Sequence, residues 1–145
     1  MTDTKKIKTV RKFHDLLNEG KLDEAHELLA EDLSAHTTAH IAAGAPPMSK
    51  AEVLESHQGI HQELEAKTTI TDAKEVDGNV IVVGKSTFNH DTIKYHYLLP
   101  FLLRLSLMLF FREVPFKATY EFIGNQIGKV HFETDPNHKV KSFSL

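Results

Sequence analysis

The segment EVDGNV, residues 75–80, constrains this chain more than any other. Asp77-Gly78 stands between two runs in which side chains alternate, and Asp-Gly is a preferred pair for a two-residue turn with positive φ at both central positions. The pattern predicts an antiparallel hairpin with strands near 67–76 and 79–90. Further on, FKATYEFI sets Phe116, Ala118, Tyr120 and Phe122 on one face, KVHFET continues the alternation, and DPNH turns into a last strand over 139–145. The second half of the chain is therefore expected to be largely antiparallel sheet.

The first half has a helical period instead. Ile7, Val10, His14 and Leu17 recur at helical spacing, Gly20 supplies a stop, and Leu22, Ala25, Leu28 and Leu29 resume the pattern. LSAHTTAHI, residues 33–41, alternates as a strand, with Leu33, Ala35, Thr37, Ala39 and Ile41 on one side. After AGAPPM, Ser49 and Glu52 form a capping box that opens a third helix running to about residue 65. Helix, helix, strand, helix and then strands is an α+β order, with the helices gathered against one face of the sheet.

At 145 residues, with no internal repeat or low-complexity linker, the chain is expected to form one domain, 1–145. A net charge of -3 gives no general attraction to nucleic acid, and the lysines and arginines of the first helix are offset by nearby acids. The absence of cysteine removes disulfides, thiolate chemistry and Cys-based zinc sites, and suits a reducing compartment. MTDTKKIKTVRKFHDLL contains no apolar core of the secretory kind, so the expected location is cytoplasmic.

One stretch breaks this ordinary composition: YHYLLPFLLRLSLMLFF, residues 95–111. As a helix it would be roughly 26 Å long, Arg104 near its middle would cost about 2.5–3.5 kcal/mol in a bilayer, and Pro100 removes a backbone donor. It is not read as a membrane span. A helical and a strand pattern both fit it. Its expected roles are cover over a pocket mouth, a subunit interface, a further core strand, or an interfacial membrane anchor over 98–111.

VRKFHDLLNEGKLDEAHELLAEDLSAH, followed by the capped third helix and the strand-rich second half, resembles the nuclear transport factor 2-like superfamily, which includes SnoaL-like cyclases, ketosteroid isomerases and scytalone dehydratases. The resemblance covers most of the chain and is weakest over 92–114. It implies a cone-shaped, curved antiparallel sheet with the N-terminal helices packed on its concave face, an apolar pocket at one end, and often a homodimer. Residues 92–113 then stand as an apolar insertion before the last strands. Aligned on Gly20 and Asp32, the ketosteroid isomerase base falls at Thr37 and its first-helix tyrosine at Phe13. Neither has the required chemistry, since threonine is no carboxylate and phenylalanine has no hydroxyl.

Ten histidines are left to sort. His36 and His40 share a strand face but lie about 13 Å apart, too far to share a metal. His57 and His61 are one helical turn apart, a spacing able to chelate, yet without an H-E-x-x-H motif; no metal and no cofactor are expected. Val53, His57, Ile60 and Leu64 make the apolar stripe of the third helix, so His57 is directed toward the sheet. His90 extends the inward register of Val80, Val82 and Phe88, and Tyr120 faces inward between Ala118 and Phe122. His57, His90 and Tyr120 are the candidate catalytic residues. His61, Thr37, Phe13, Phe88, Phe116, Phe122 and Leu103 are the candidate ligand contacts. A histidine with a tyrosine in an apolar site moves a proton and holds an enolate or phenol oxygen, chemistry that scytalone dehydratase-like relatives also use. The expected ligand is a small apolar oxygenated molecule, and the expected activity is isomerase, cyclase or dehydratase (a lyase). Two alternatives stay open: a non-catalytic ligand-binding or dimerisation module in which these rings are structural, and a peripheral membrane protein.

Overall fold

A computed structural model describes residues 3–37, 44–64, 67–87 and 113–134. Its elements run α1 (Lys5–Asn18), α2 (Leu22–His26), β1 (Leu29–Thr37), α3 (Lys50–Leu64), β2 (Lys67–Val76), β3 (Asn79–Thr87), β4 (Glu113–Ile123) and β5 (Gln126–Thr134). The strand order is β1-β5-β4-β3-β2, a curved, unclosed five-stranded sheet with the helices on one face. The anticipated insertion up to residue 112, the last strand at 139–145 and the proposed anchor at 98–111 all lie outside the described residues, and Glu113 already belongs to β4.

Local chemistry sets the helix ends. Thr4 caps α1 by accepting from the Ile7 N–H at 3.3 Å. The helix closes as Gly20 takes φ 78°, the Gly20 N–H donating to Leu17 O and the Lys21 N–H to Leu16 O. That double bond is a Schellman closure, which needs a residue content in the left-handed region. The capping box of α3 is formed in both directions: the Ser49 N–H donates to Glu52 Oε1 at 3.1 Å and the Glu52 N–H to Ser49 Oγ at 3.3 Å. The Asp77-Gly78 turn adopts φ 53° and 83° between β2 and β3 as the dipeptide requires.

Antiparallel pairing holds from β2 through β5, but β1 joins β5 in parallel. β1 also begins at Leu29, four positions before the alternation at Leu33 suggests. Leu28 and Leu29, which continue a helical spacing in the sequence, belong to the approach to this strand. The Ile127 N–H donates to Leu28 O, and the Gln126 amide donates to Glu27 O and Leu29 O. Register shifts in β1, β2 and the β4–β5 pair bend the sheet.

The core lies between helices and sheet. Cross-strand layers run Val80–Tyr120–Val130 and Val82–Ala118–Phe132, so the inward alternation read from the sequence is realised in register. Val80, Val82 and Ala118 are fully buried, and Phe116 is almost so. Onto these layers α1 lowers Ile7, Val10, Phe13, His14 and Leu16. Asn18 fastens the far end of the helix to β2: its Nδ2 donates to Thr68 O and its Oδ1 accepts from the Thr68 N–H, each at 2.8 Å. Burial of so many apolar side chains, each worth about 1.5–3 kcal/mol, fixes the helices over the sheet. The polar side chains that come with them are thereby held in the core.

Candidate functional site

Two of those polar groups lie on α1 and β4. His14 is buried one turn after Val10, and its Nε2 is 2.6 Å from Tyr120 Oη. The rings meet edge to face at 5.8 Å, with Phe13 and Phe116 around His14. Tyr120 is 2% exposed and His14 7%. Burial lowers His14 to a pKa of about 4 and pushes the Tyr120 phenol well above its ordinary range. Both are neutral at pH 7. They are therefore joined by a neutral hydrogen bond, while His14 Nδ1 is buried without a hydrogen-bond partner among the described residues.

The second pair bridges α2 and α3. His26 Nε2 and His57 Nδ1 are 2.9 Å apart, in rings stacked at 5.1 Å and inclined by 26°. His57 falls to about 4, first because of burial and then because of the charges that His26 and His14 would carry. His26 is also lowered, by burial above all; the Leu22 backbone opposes this, the Lys50 cation adds to it and Asp23 opposes it. Lys50 is itself held at the start of α3, its Nζ donating to Leu29 O and Glu31 Oε1, each at 3.1 Å. Phe13 connects the two pairs, its ring lying 6.1 Å from His57 and 5.4 Å from His14.

Of the residues expected from sequence, His57, Tyr120, Phe13 and Phe116 gather around this cluster. Phe116 stacks on Phe132 at 5.0 Å behind it. Phe122 stands elsewhere: Lys6 Nζ lies 5.5 Å from its ring centre, and it lines a groove of about 320 Å³ at the start of α1 with Thr4, Thr9, Glu75 and Asn125. That open groove contains none of the four clustered polar rings, so it is not their binding space. Thr37 ends β1 opposite Phe132, and His61 is one turn beyond His57 on α3. His90, Phe88 and Leu103 lie outside the described residues.

The structure adds His14 and His26. His14 was visible in the apolar stripe of α1, where a polar ring among Val10, Leu17 and Ile7 signals a buried partner. His26 gave little signal, because α2 has five residues and no complete period. Among the described residues no group of three His, Cys, Asp or Glu is arranged to hold a metal ion. No described helix is long and apolar enough to cross a membrane.

No protein-family model matches the chain, and no curated protein matches it significantly. Solved structures do. IdmH, a candidate polyketide cyclase from Streptomyces antibioticus, is similar at TM-score 0.70 and 17% identity, over 97% of this chain and 99% of that one. A candidate ketosteroid isomerase from Kribbella flavida gives 0.65 and 15%, over 90% and 78%. An NTF2-like protein of unknown function from Cytophaga hutchinsonii gives 0.63 and 13%, over 96% and 97%. The fold is that of the nuclear transport factor 2-like proteins. At these identities the likeness establishes the fold, on which unrelated chemistries are built.

Proposed function

We propose that the protein is a cofactor-independent acid–base enzyme of the isomerase or cyclase type that acts on a small apolar oxygenated molecule. The observation that carries this reading is the convergence of two neutral hydrogen-bonded pairs, His14–Tyr120 and His26–His57, on Phe13 in an apolar core. His57 is the base and Tyr120 the hydrogen-bond donor; His90 is the second candidate base. Isomerisation and cyclisation share a first step, removal of a proton from carbon beside a carbonyl. The His57 lone pair takes that proton, and the electron pair left behind moves onto the carbonyl oxygen as an enolate. The Tyr120 O–H donates to that oxygen while His14 Nε2–H donates to Tyr120 Oη, so the charge meets donors already in place. Returning the proton to another carbon completes an isomerisation; alternatively the enolate carbon attacks a second carbonyl and closes a ring, that carbonyl's π electrons moving to its oxygen, which takes the proton held on His57.

A histidine lowered to about 4 is unprotonated at neutral pH but is a weak base. That selects for an acidic C–H, one flanked by two carbonyls, over a simple ketone. The candidate cyclase and isomerase among the structural neighbours act in the same sense as support for a small-molecule partner. Deuterium incorporation from D2O into apolar 1,3-dicarbonyl compounds tests the reading. Exchange that depends on His57 supports it; absence of catalysed exchange across the panel overturns it.

A second reading is favoured by one observation, the 2% exposure of Tyr120. A phenol so enclosed and already bonded to His14 serves to fix α1 on β4, and the protein is then a non-catalytic ligand-binding or dimerisation module. Native mass spectrometry that finds a retained apolar compound without exchange activity, or a ligand-free dimer, supports this alternative.

A further inference from the structure

The side of the sheet turned away from the helices carries a charge pattern of its own. Phe116, Ala118 and Tyr120 are buried in the core, so alternation along β4 turns Lys117, Thr119 and Glu121 outward. On β5, Val130 and Phe132 pack against the core, so Lys129, His131 and Glu133 face outward as well. The two strands are in register: Glu121 pairs with Lys129, Thr119 with His131 and Lys117 with Glu133. Acid and base therefore alternate along each strand and across the pair, a square of four charges about Thr119 and His131. The bonds within it are loose. Lys129 Nζ is 3.8 Å from Glu121 Oε2, with both side chains about half exposed, and His131 Nε2 is 3.7 Å from Glu133 Oε2. Beside the square, Ile81 and Val83 of β3 point the same way and are half-buried, since Val80 and Val82 take the inward places. The helices give their apolar residues to the inward cluster, and no described helix lies over this outer face.

We propose that two copies of this chain associate through the outer face, and that the square of charges is the element by which one copy recognises the other. A face meets its own copy by turning over about an axis in the plane between them, and the square fits itself in both such orientations. About an axis along the strands, β4 lies opposite β5, so Glu121 meets the second copy's Lys129 and Lys117 meets its Glu133. About an axis across the strands, through Thr119 and His131, Glu121 meets Lys117 and Lys129 meets Glu133. Neither orientation sets like charges together, whereas a face of one sign repels its copy. The area suffices as well. Five strands of nine to eleven residues present a face about 24 Å by about 30 Å, roughly 700 Å², near the ~800 Å² that each partner gives to a standard interface. Ile81 and Val83 supply its apolar share. The ring cluster lies on the inward side of the sheet, so association leaves it untouched. Whether the dimer retains a ligand bears on the function proposed above; the dimer itself rests on the outer face alone.

Sedimentation equilibrium of the full chain at micromolar concentrations tests this. The unmodified protein is expected to be a dimer. Lys117→Glu with Lys129→Glu makes the square wholly acidic, and Glu121→Lys with Glu133→Lys makes it wholly basic; each protein is expected to associate at least about tenfold more weakly. Mixed in equal amounts, the acidic and basic proteins are expected to pair with each other, because opposite squares fit in either orientation. A monomeric unmodified protein overturns the proposal, whether another part of the chain or solvent then covers the face. Altered proteins that associate as the unmodified one does overturn it too, as does a mixture that does not pair. Should either altered protein fail to fold, amide NMR of the unmodified protein over a dilution series decides the matter. Shifts gathered on residues 117–121 and 129–133 support the outer face; shifts confined elsewhere, or none, overturn it.

Discussion

His14 Nε2 and Tyr120 Oη, 106 positions apart in the chain, meet at 2.6 Å and tie the first helix to the fourth strand. Among the described residues His14 has no other hydrogen-bond partner, its Nδ1 being buried and unpaired. Tyr120→Phe leaves both ring nitrogens unsatisfied in the core and is expected to destabilise the fold by about 1–3 kcal/mol. The double variant His14→Leu with Tyr120→Phe removes both partners. It is expected to cost less than the two single losses added together, because no stranded polar ring remains. Urea unfolding of the four proteins measures this coupling; strict additivity would mean that the bond contributes nothing.

The same burial makes stability depend on pH. His14 and His57 have folded values of about 4, against 6.5 for an ordinary histidine. Between those values the unfolded chain binds protons that the folded one does not, so stability rises with pH through that window. The contribution is fully present above pH 6.5, declines as the pH falls toward 4, and does not decline further from these groups below it. For His14 alone the loss is on the order of 3 kcal/mol, and the lowered value of His26 acts in the same direction. Urea midpoints measured from pH 4 to pH 8 should show the decline below 6.5. His14→Phe should make it shallower, and an unchanged slope would show that the histidine titrates normally in the folded protein.

At Gly84 the constraint is one of space. A Cβ there would lie 2.1 Å from Thr69 O and 3.1 Å from Ile70 Cα, both backbone atoms of the neighbouring strand. The register shift between Ile70 and Asp72 brings β2 over this position. Gly84→Ala is thus expected to force apart the β2–β3 ladder and to cost about 2–3 kcal/mol. Thermal or urea denaturation checks it; a loss below a few tenths of a kcal/mol would mean that the bulge yields freely.

What was legible in the sequence was local. Asp77-Gly78 and the Ser49–Glu52 box carry their own geometry, because every atom of the turn or cap lies within a few residues. The inward face of β4 was legible too, since Phe116, Ala118 and Tyr120 alternate without interruption. The parallel joining of β1 to β5 was not, because Leu29 pairs with Ile127 and nothing near Leu29 encodes that distant partner. For the site, the alternation of β4 and the stripe of α3 disclosed Tyr120 and His57 as inward residues. Their actual partners, His14 and His26, come from other elements, and a single sequence carries no signal for contacts across 106 or 31 positions.

The proposed base is separable from the structural bonds by its pH profile. With His57 at about 4, it is unprotonated throughout the neutral range. Deuterium exchange into a 1,3-dicarbonyl compound should therefore be level near neutrality, with an acid limb near pH 4 in kcat/KM, which reports the free enzyme. An acid limb near 6.5 would instead indicate an ordinary, accessible histidine and would move the role of base away from His57. His57→Ala should lower exchange by about 10²–10⁴-fold, the usual contribution of a positioned acid–base group, with partial recovery on adding free imidazole. If His57→Ala retains full exchange while its unfolding midpoint drops, His57 is a core residue, and the non-catalytic reading of the four-ring cluster takes precedence.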